Sequence, residues 1–185
     1  RESGDLPALL ELAKLNLSAG QRAKSTAAFH AAVGFFTAGT ALLPESAWTD
    51  HHALLFELHL ERGHTEFLNG AFKDAEAQLV ALQQHADSAV EKALISLRLC
   101  ELFYARADFP AATRVGIGGL LQLGMKMPSE EEAFPAFLAE KAEIDRAIEG
   151  KNIADLVNLP INESVEVDVM VRLAVALASP AYIAR

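Results

Sequence analysis

Apolar residues recur at spacings of three and four along most of the chain, the periodicity of helices that bury one face. The clearest stretch runs from Gly63 to Leu82. Phe67 and Leu68 close one apolar run, and Phe72, Ala75, Leu79 and Leu82 share one face of the next. Between them Asn69-Gly70 is a turn dipeptide, because glycine takes the positive φ that a sharp reversal needs. The pattern predicts two helices joined by a tight turn, with Ala75 where they approach most closely. No strand is expected, since no alternating run competes with this helical periodicity.

The rest of the chain reads the same way. Residues 1–6 are expected to fray; Pro7 suits a first helical turn, and a helix should run to about Ala19, where Gly20 breaks it. A second helix is expected from about Gln21 to Leu43, with Phe29, Ala32, Val33, Phe36 and Leu43 facing inward and Pro44 at its end. Ser46 is a candidate N-cap for a third, Ala47 to Leu68, whose inward face carries Trp48, Leu55, Leu58 and Phe67. A fourth spans Phe72 to His85. Asp87 or Ser88 caps a fifth, Ala89 to Arg106, with Glu91 where the helix dipole favours an anion. A sixth runs from Pro110 to Leu123. Ser129 and Glu132 have capping-box spacing, so a seventh helix should reach Glu149 and stop at Gly150. After a short turn at Ile153 to Val157, Asn162 is the candidate cap of a last helix, Glu163 to Ser179, ended by Pro180.

One frame repeats. With Gly63 as eighth position, Phe72 is seventeenth, Ala75 twentieth, Leu79 twenty-fourth and Leu82 twenty-seventh. The frame recurs upstream as Gly20, Phe29, Ala32, Phe36 and Gly39, and downstream as Cys100, Phe109, Ala112, Gly116 and Gly119. Glycine, small and aromatic positions at these offsets are the pattern of tetratricopeptide repeats. The expected fold is all-α, a tetratricopeptide-like α-solenoid of antiparallel helix pairs. Residues 1–128 would form three pairs and residues 129–185 would continue the same solenoid as one domain. The chain has 185 residues and does not begin with Met, so it is expected to be a piece of something longer.

Composition narrows the function. A net charge of −9 argues against nucleic acid, which needs a basic footprint, and against an anionic membrane surface. The most apolar segment, Val165 to Ile183, carries Glu166, Asp168 and Arg172, too much charge for a membrane span. No signal peptide is evident, so a cytoplasmic location is expected. Cys100 is the lone cysteine and sits among Leu97, Leu99, Leu102 and Phe103, which suggests a buried, inert thiol.

Candidate chemistry is sparse. Gly116-Ile-Gly-Gly119 invites a phosphate-loop reading, but Gly124 is followed by Met125, not Lys, and no strand precedes it. His52 and His59 share a face at a spacing of seven, where helical metal pairs use three or four. His51, His52, His59 and His64 therefore read as surface or groove histidines. No order of Ser, His and Asp or of Cys and His suggests a nucleophile. No cofactor, metal site or catalytic residue is expected, and the chain reads as no enzyme.

The repeat itself offers one functional feature. In this architecture the first helix of each pair lines a concave groove through its second, fifth, ninth and twelfth positions. Those are Glu57, Leu60, His64 and Phe67 in the central repeat, and Leu94, Leu97, Glu101 and Tyr104 in the third. This apolar, aromatic and acidic set suits an apolar or basic helix, or a neighbouring domain. Packing against further helices of the chain itself is the competing reading. The last helix is apolar on nearly every side, so self-association is expected through it, with Val169 and Leu173 as candidate contacts and a homodimer as the outcome.

Certain segments carry a more specific likeness: Leu15-Asn-Leu-Ser-Ala-Gly20, Ala28-Phe-His-Ala-Ala32, Leu42-Leu-Pro44 with Trp48, Glu66-Phe-Leu-Asn-Gly70 with Phe72, Ala154-Asp-Leu-Val-Asn-Leu-Pro160 and Ala181-Tyr-Ile-Ala184. With them the chain resembles the helical region that follows the AAA-type ATPase domain of large bacterial signalling proteins. Those proteins join a serine/threonine kinase, a predicted ATPase, GAF or PAS sensors and a histidine kinase. The resemblance implies a scaffold or relay between such modules, with ATPase and kinase activities outside this segment. The alternative is a ligand-sensing domain whose groove binds a small molecule or peptide. Two departures, Arg106-Ala107 before the third turn and Gly116 in place of an aromatic, bear on the packing of the third repeat.

Overall fold

A computed structural model describes residues 6–183. Residues 1–5, where fraying is expected, lie outside the described residues, as does Ala184 of the last likeness segment. Every regular element described is helical: α1 (Leu6–Ser25), α2 (Phe29–Ala41), α3 (Ala47–Asp50), α4 (His52–Leu68), α5 (Phe72–Leu82), α6 (Ala89–Ala105), α7 (Phe109–Gln122), α8 (Glu130–Ile148) and α9 (Val165–Ile183). Short 3-10 turns follow α5 at Gln83–His85 and precede α9 at Ile153–Asn158.

Three helical hairpins, α1–α2, α4–α5 and α6–α7, stack in sequence order, and their first helices lie side by side. Each hairpin closes on the same turn. The amide of Gly70 donates to Phe67 O and that of Ala71 to Glu66 O; Ala27 and Ala28 repeat this on Lys24 and Ala23, and Ala107 and Asp108 on Tyr104 and Phe103. These paired bonds are the Schellman motif, which satisfies the last carbonyls of a helix through one residue at positive φ. Gly70 supplies it at 84°, but Ala27 and Ala107 take it at 58° and 59°, where a side chain is strained.

The first break therefore falls at Ala27, not at Gly20. Gly20 is buried within α1, and a Cβ on it would lie 2.4 Å from the Phe36 ring. This glycine is set by close approach of α2, a need that local sequence does not express. Gly63 stands in the same relation to Leu79, with a Cβ 2.9 Å away. Ala32, Ala75 and Ala112, the twentieth positions, are all fully buried.

Caps were partly legible. Ser88 and Glu91 form a capping box at α6, and Ser129 and Glu132 form another at α8. The Ser129 hydrogen bonds hold the Glu132 carboxyl below its usual pKa. Ser46 makes no side-chain cap bond, and His51 divides the expected third helix into α3 and α4. At α9, Ser164 accepts from the Val167 amide, displacing Asn162 from the cap. Pro180 lies inside α9, its ring buried, and the helix continues to Ile183.

The C-terminal region departs from a simple continuation. α9, not α8, packs onto α6 and α7. Val169, Leu173 and Leu177 enter the core with Ala93, Leu97, Cys100 and Ala112. Val169 is 1% exposed and Leu173 fully buried, so these two are core residues and not the exposed face expected of them. The opposite side of α9 does remain apolar and exposed, at Val167, Val171, Val175 and Tyr182. α8 makes no more than marginal contact with any other described helix. Among the described residues, no helix is long and apolar enough to cross a membrane.

Candidate interaction groove

Because the hairpins stack in register, equivalent positions of α1, α4 and α6 line up across one face of the stack. The fifth positions point into the seams: Leu17, Leu60 and Leu97 are each under 10% exposed. Leu60 and Leu97 are therefore core residues, and Leu94 packs partly buried against the same core, in contrast to the groove role expected of all three. Glu57 is exposed and accepts a hydrogen bond from the Gln21 amide at 2.8 Å. The ninth and twelfth positions form the floor of the groove.

Two clefts occupy it. One, of about 430 Å³, is lined by His64, Phe67, Leu68, Glu101, Tyr104 and Ala105 from α4 and α6, and by Val175, Ala176 and Ser179 of α9. The other, of about 500 Å³, is lined by Gln21, Lys24, Ser25, Phe29, Glu61 and Leu68. Leu68 is common to both. Of the eight groove candidates, His64, Phe67, Glu101 and Tyr104 are thus brought together, while Glu57, Leu60, Leu94 and Leu97 lie outside these linings.

A polar seam runs between the clefts. Lys24 donates to Glu61 at 2.7 Å and to His64 Nδ1 at 2.8 Å. An imidazole that accepts from a lysine carries its proton on the other nitrogen, so His64 is neutral, with Nε2 3.8 Å from Glu101. Burial, followed by the charges of Arg98, Lys24 and Arg172, lowers the His64 pKa to about 2, consistent with that tautomer. Arg98 holds Glu101 in place at 2.9 Å. The His64 ring stacks on Phe67, which in turn meets Phe72. The result is an apolar, aromatic trough with a fixed carboxylate beside it, suited to a partner carrying an apolar side chain next to a basic group.

No protein-family profile matches the chain, and no solved structure does. Among curated proteins it is similar to hybrid signal transduction histidine kinase G of Dictyostelium discoideum, at 25% identity over 125 residues. That match covers 63% of this chain and 4% of the kinase, so the chain corresponds to a small fraction of that protein's length.

Sequence reasoning missed Gln21 and Lys24, the ninth and twelfth positions of the first repeat. The same offsets would have found them had the first helix not been broken at Gly20. The α9 residues carried no such signal, because no local pattern says that α9 bypasses α8 to close the groove. The other histidines serve elsewhere. Trp48 stacks on His85 with ring centroids 4.1 Å apart and on His59 at 5.4 Å, with His52 tilted against it. His52 reaches Glu91 at 2.9 Å, and the Gln78 amide lies 2.6 Å from His59 Nδ1. Burial, then Arg62 and His85, lowers the His59 pKa to about 4. Among the described residues, no three His, Cys, Asp or Glu side chains group so as to hold a metal.

Proposed function

We propose that this chain is a non-catalytic, tetratricopeptide-like interaction module that relays signals between the ATPase and sensor or kinase modules of a large signalling protein. The groove carries this reading: His64, Phe67, Glu101 and Tyr104 converge on a cleft of about 430 Å³ whose fixed carboxylate favours an amphipathic helix bearing a basic residue. The partial similarity to a signalling histidine kinase supports the context, and the repeat frame supports the architecture. On this reading the partner is a helix of a neighbouring domain or of another protein, and the site is cytoplasmic.

The test is fluorescence anisotropy with labelled amphipathic helical peptides that differ only in a central Lys, Gln or Glu. Binding in the order Lys, Gln, Glu is expected, with Tyr104→Ala weakening it about tenfold, the loss of one well-packed aromatic contact. Equal binding of all three peptides, or none at millimolar concentration, would remove the groove as a helix receptor. A second reading, a small-molecule sensor, draws on the cleft volume, which falls within the roughly 300–1,000 Å³ of ligand sites.

A further inference from the structure

The two clefts of the groove form one row across the stack. The first lies against α1 and α4, the second against α4, α6 and α9, and Leu68 walls both. Phe29 and Leu68 give the first its apolar surface; Phe67, Tyr104 and Val175 give the second its own. Between them the contacts of Lys24 with Glu61 and His64 draw a polar seam. Packed helices lie roughly 8–10 Å apart axis to axis, so the step from one cleft to the next is about that long. Resting on the helix-receptor reading above, we propose that the occupant is a single helix crossing the first helices of the hairpins. It seats two apolar anchors seven residues apart, one in each cleft, with a basic residue between them facing Glu101.

Spacing, hydrogen bonding and charge each select this occupant. Seven residues of helix rise about 10.5 Å and return to nearly the same face, whereas four rise about 6 Å and eleven about 16.5 Å. The donors along the row are already engaged within the chain. The Gln21 amide donates to Glu57, Lys24 to Glu61 and His64, and the Ser25 hydroxyl to the Arg22 carbonyl. An extended segment brings one donor and one acceptor per residue and would find few partners here, while a helix bonds its own backbone. The Glu101 side chain is 31% exposed and that of Arg98, which holds it, 10%. The carboxylate, not the guanidinium, is therefore the charge presented to the second cleft. A lysine or arginine four residues after the first anchor shares the anchors' face and meets that carboxylate.

Fluorescence anisotropy on the full 185-residue chain tests the spacing. The probes are helical peptides of equal composition, with one lysine and two leucine anchors set four, seven or eleven residues apart on one face. The seven-residue spacing should bind at least tenfold tighter than either other, and replacing either anchor by Ala should weaken it about tenfold. Ser25→Glu and Ser179→Glu each alter an exposed position, one in each cleft, with circular dichroism confirming retained helix. Each should weaken the two-anchor peptide about tenfold, and leave unchanged the peptide that lacks the anchor held by that cleft. Equal binding at all three spacings, with the order Lys, Gln, Glu kept, would overturn the two-anchor occupant and leave the helix receptor standing. No binding by any peptide would remove both. A central proline that leaves affinity unchanged would also overturn the proposal, since the occupant would then be extended.

Discussion

Leu177 of α9 fills the space left by Gly116 of α7: a Cβ on Gly116 would lie 2.6 Å from Leu177 Cγ. In the first two hairpins the eighth position is glycine and the twenty-fourth is large, as Gly20 with Phe36 and Gly63 with Leu79. In the third the eighth position is Cys100 and the glycine has moved to the twenty-fourth. The departure at Gly116 thus marks the place where α9 docks. Gly116→Ala should cost roughly 1–3 kcal/mol through overpacking, and Leu177→Ala roughly 2–5 kcal/mol through the cavity it leaves. The double variant should cost less than the sum, because each change relieves the other. Urea midpoints of the four proteins check this, and strict additivity would mean the two residues do not meet in solution.

Ala27 and Ala107 hold positive φ at the hairpin turns where Gly70 serves the central one. Ala27→Gly and Ala107→Gly should each stabilise the fold by roughly 0.5–1 kcal/mol, since relief of left-handed strain exceeds the entropy cost of glycine. Gly70→Ala should destabilise by a similar amount. Thermal or urea unfolding of the three variants measures it, and a destabilised Ala27→Gly would mean that the turn differs in solution.

His59 and His64 titrate in the unfolded chain near 6.5 but in the folded chain only at about 4 and about 2. Between those values the unfolded state binds protons that the folded state refuses, so stability is full above pH 6.5 and falls as the pH drops below it. The upper bound is about 1.4 kcal/mol per pH unit for each ring. His64→Gln should flatten the decline between pH 6.5 and pH 4.5, and a profile that does not change would show that His64 protonates in the folded state.

Cys100 is fully buried, and burial followed by the charge of Glu101 raises its pKa to about 11. The thiol should resist a disulfide reagent at pH 8 in the native protein and react at once in denaturant. Its labelling rate in intermediate urea then reports opening of the α6–α7–α9 core, in which Cys100 sits.

Glu101 shows where sequence patterns stop. Its place on α6 followed from the repeat frame and its pairing with Arg98 is local, three residues back on the same helix, but its neighbour His64 follows from the stacking of α4 on α6. Local chemistry sufficed for the capping box at Ser129, for narrowing the α6 cap to Asp87 or Ser88, for the turn at Gly70, and for Ala75 at a helix crossing, because each depends on residues within one turn or one hairpin. Gly20 and Pro180 read locally as helix ends, and neither is. Gly20 yields space to Phe36, while Pro180 is buried near the end of a packed helix, so contacts from distant elements override the local preference. The bypass of α8 by α9 is likewise invisible in periodicity, since both helices carry apolar stripes. Only the fit of Leu173 and Leu177 against Gly119 and Gly116 decides which one joins the stack, because shape complementarity belongs to two surfaces together and to neither alone.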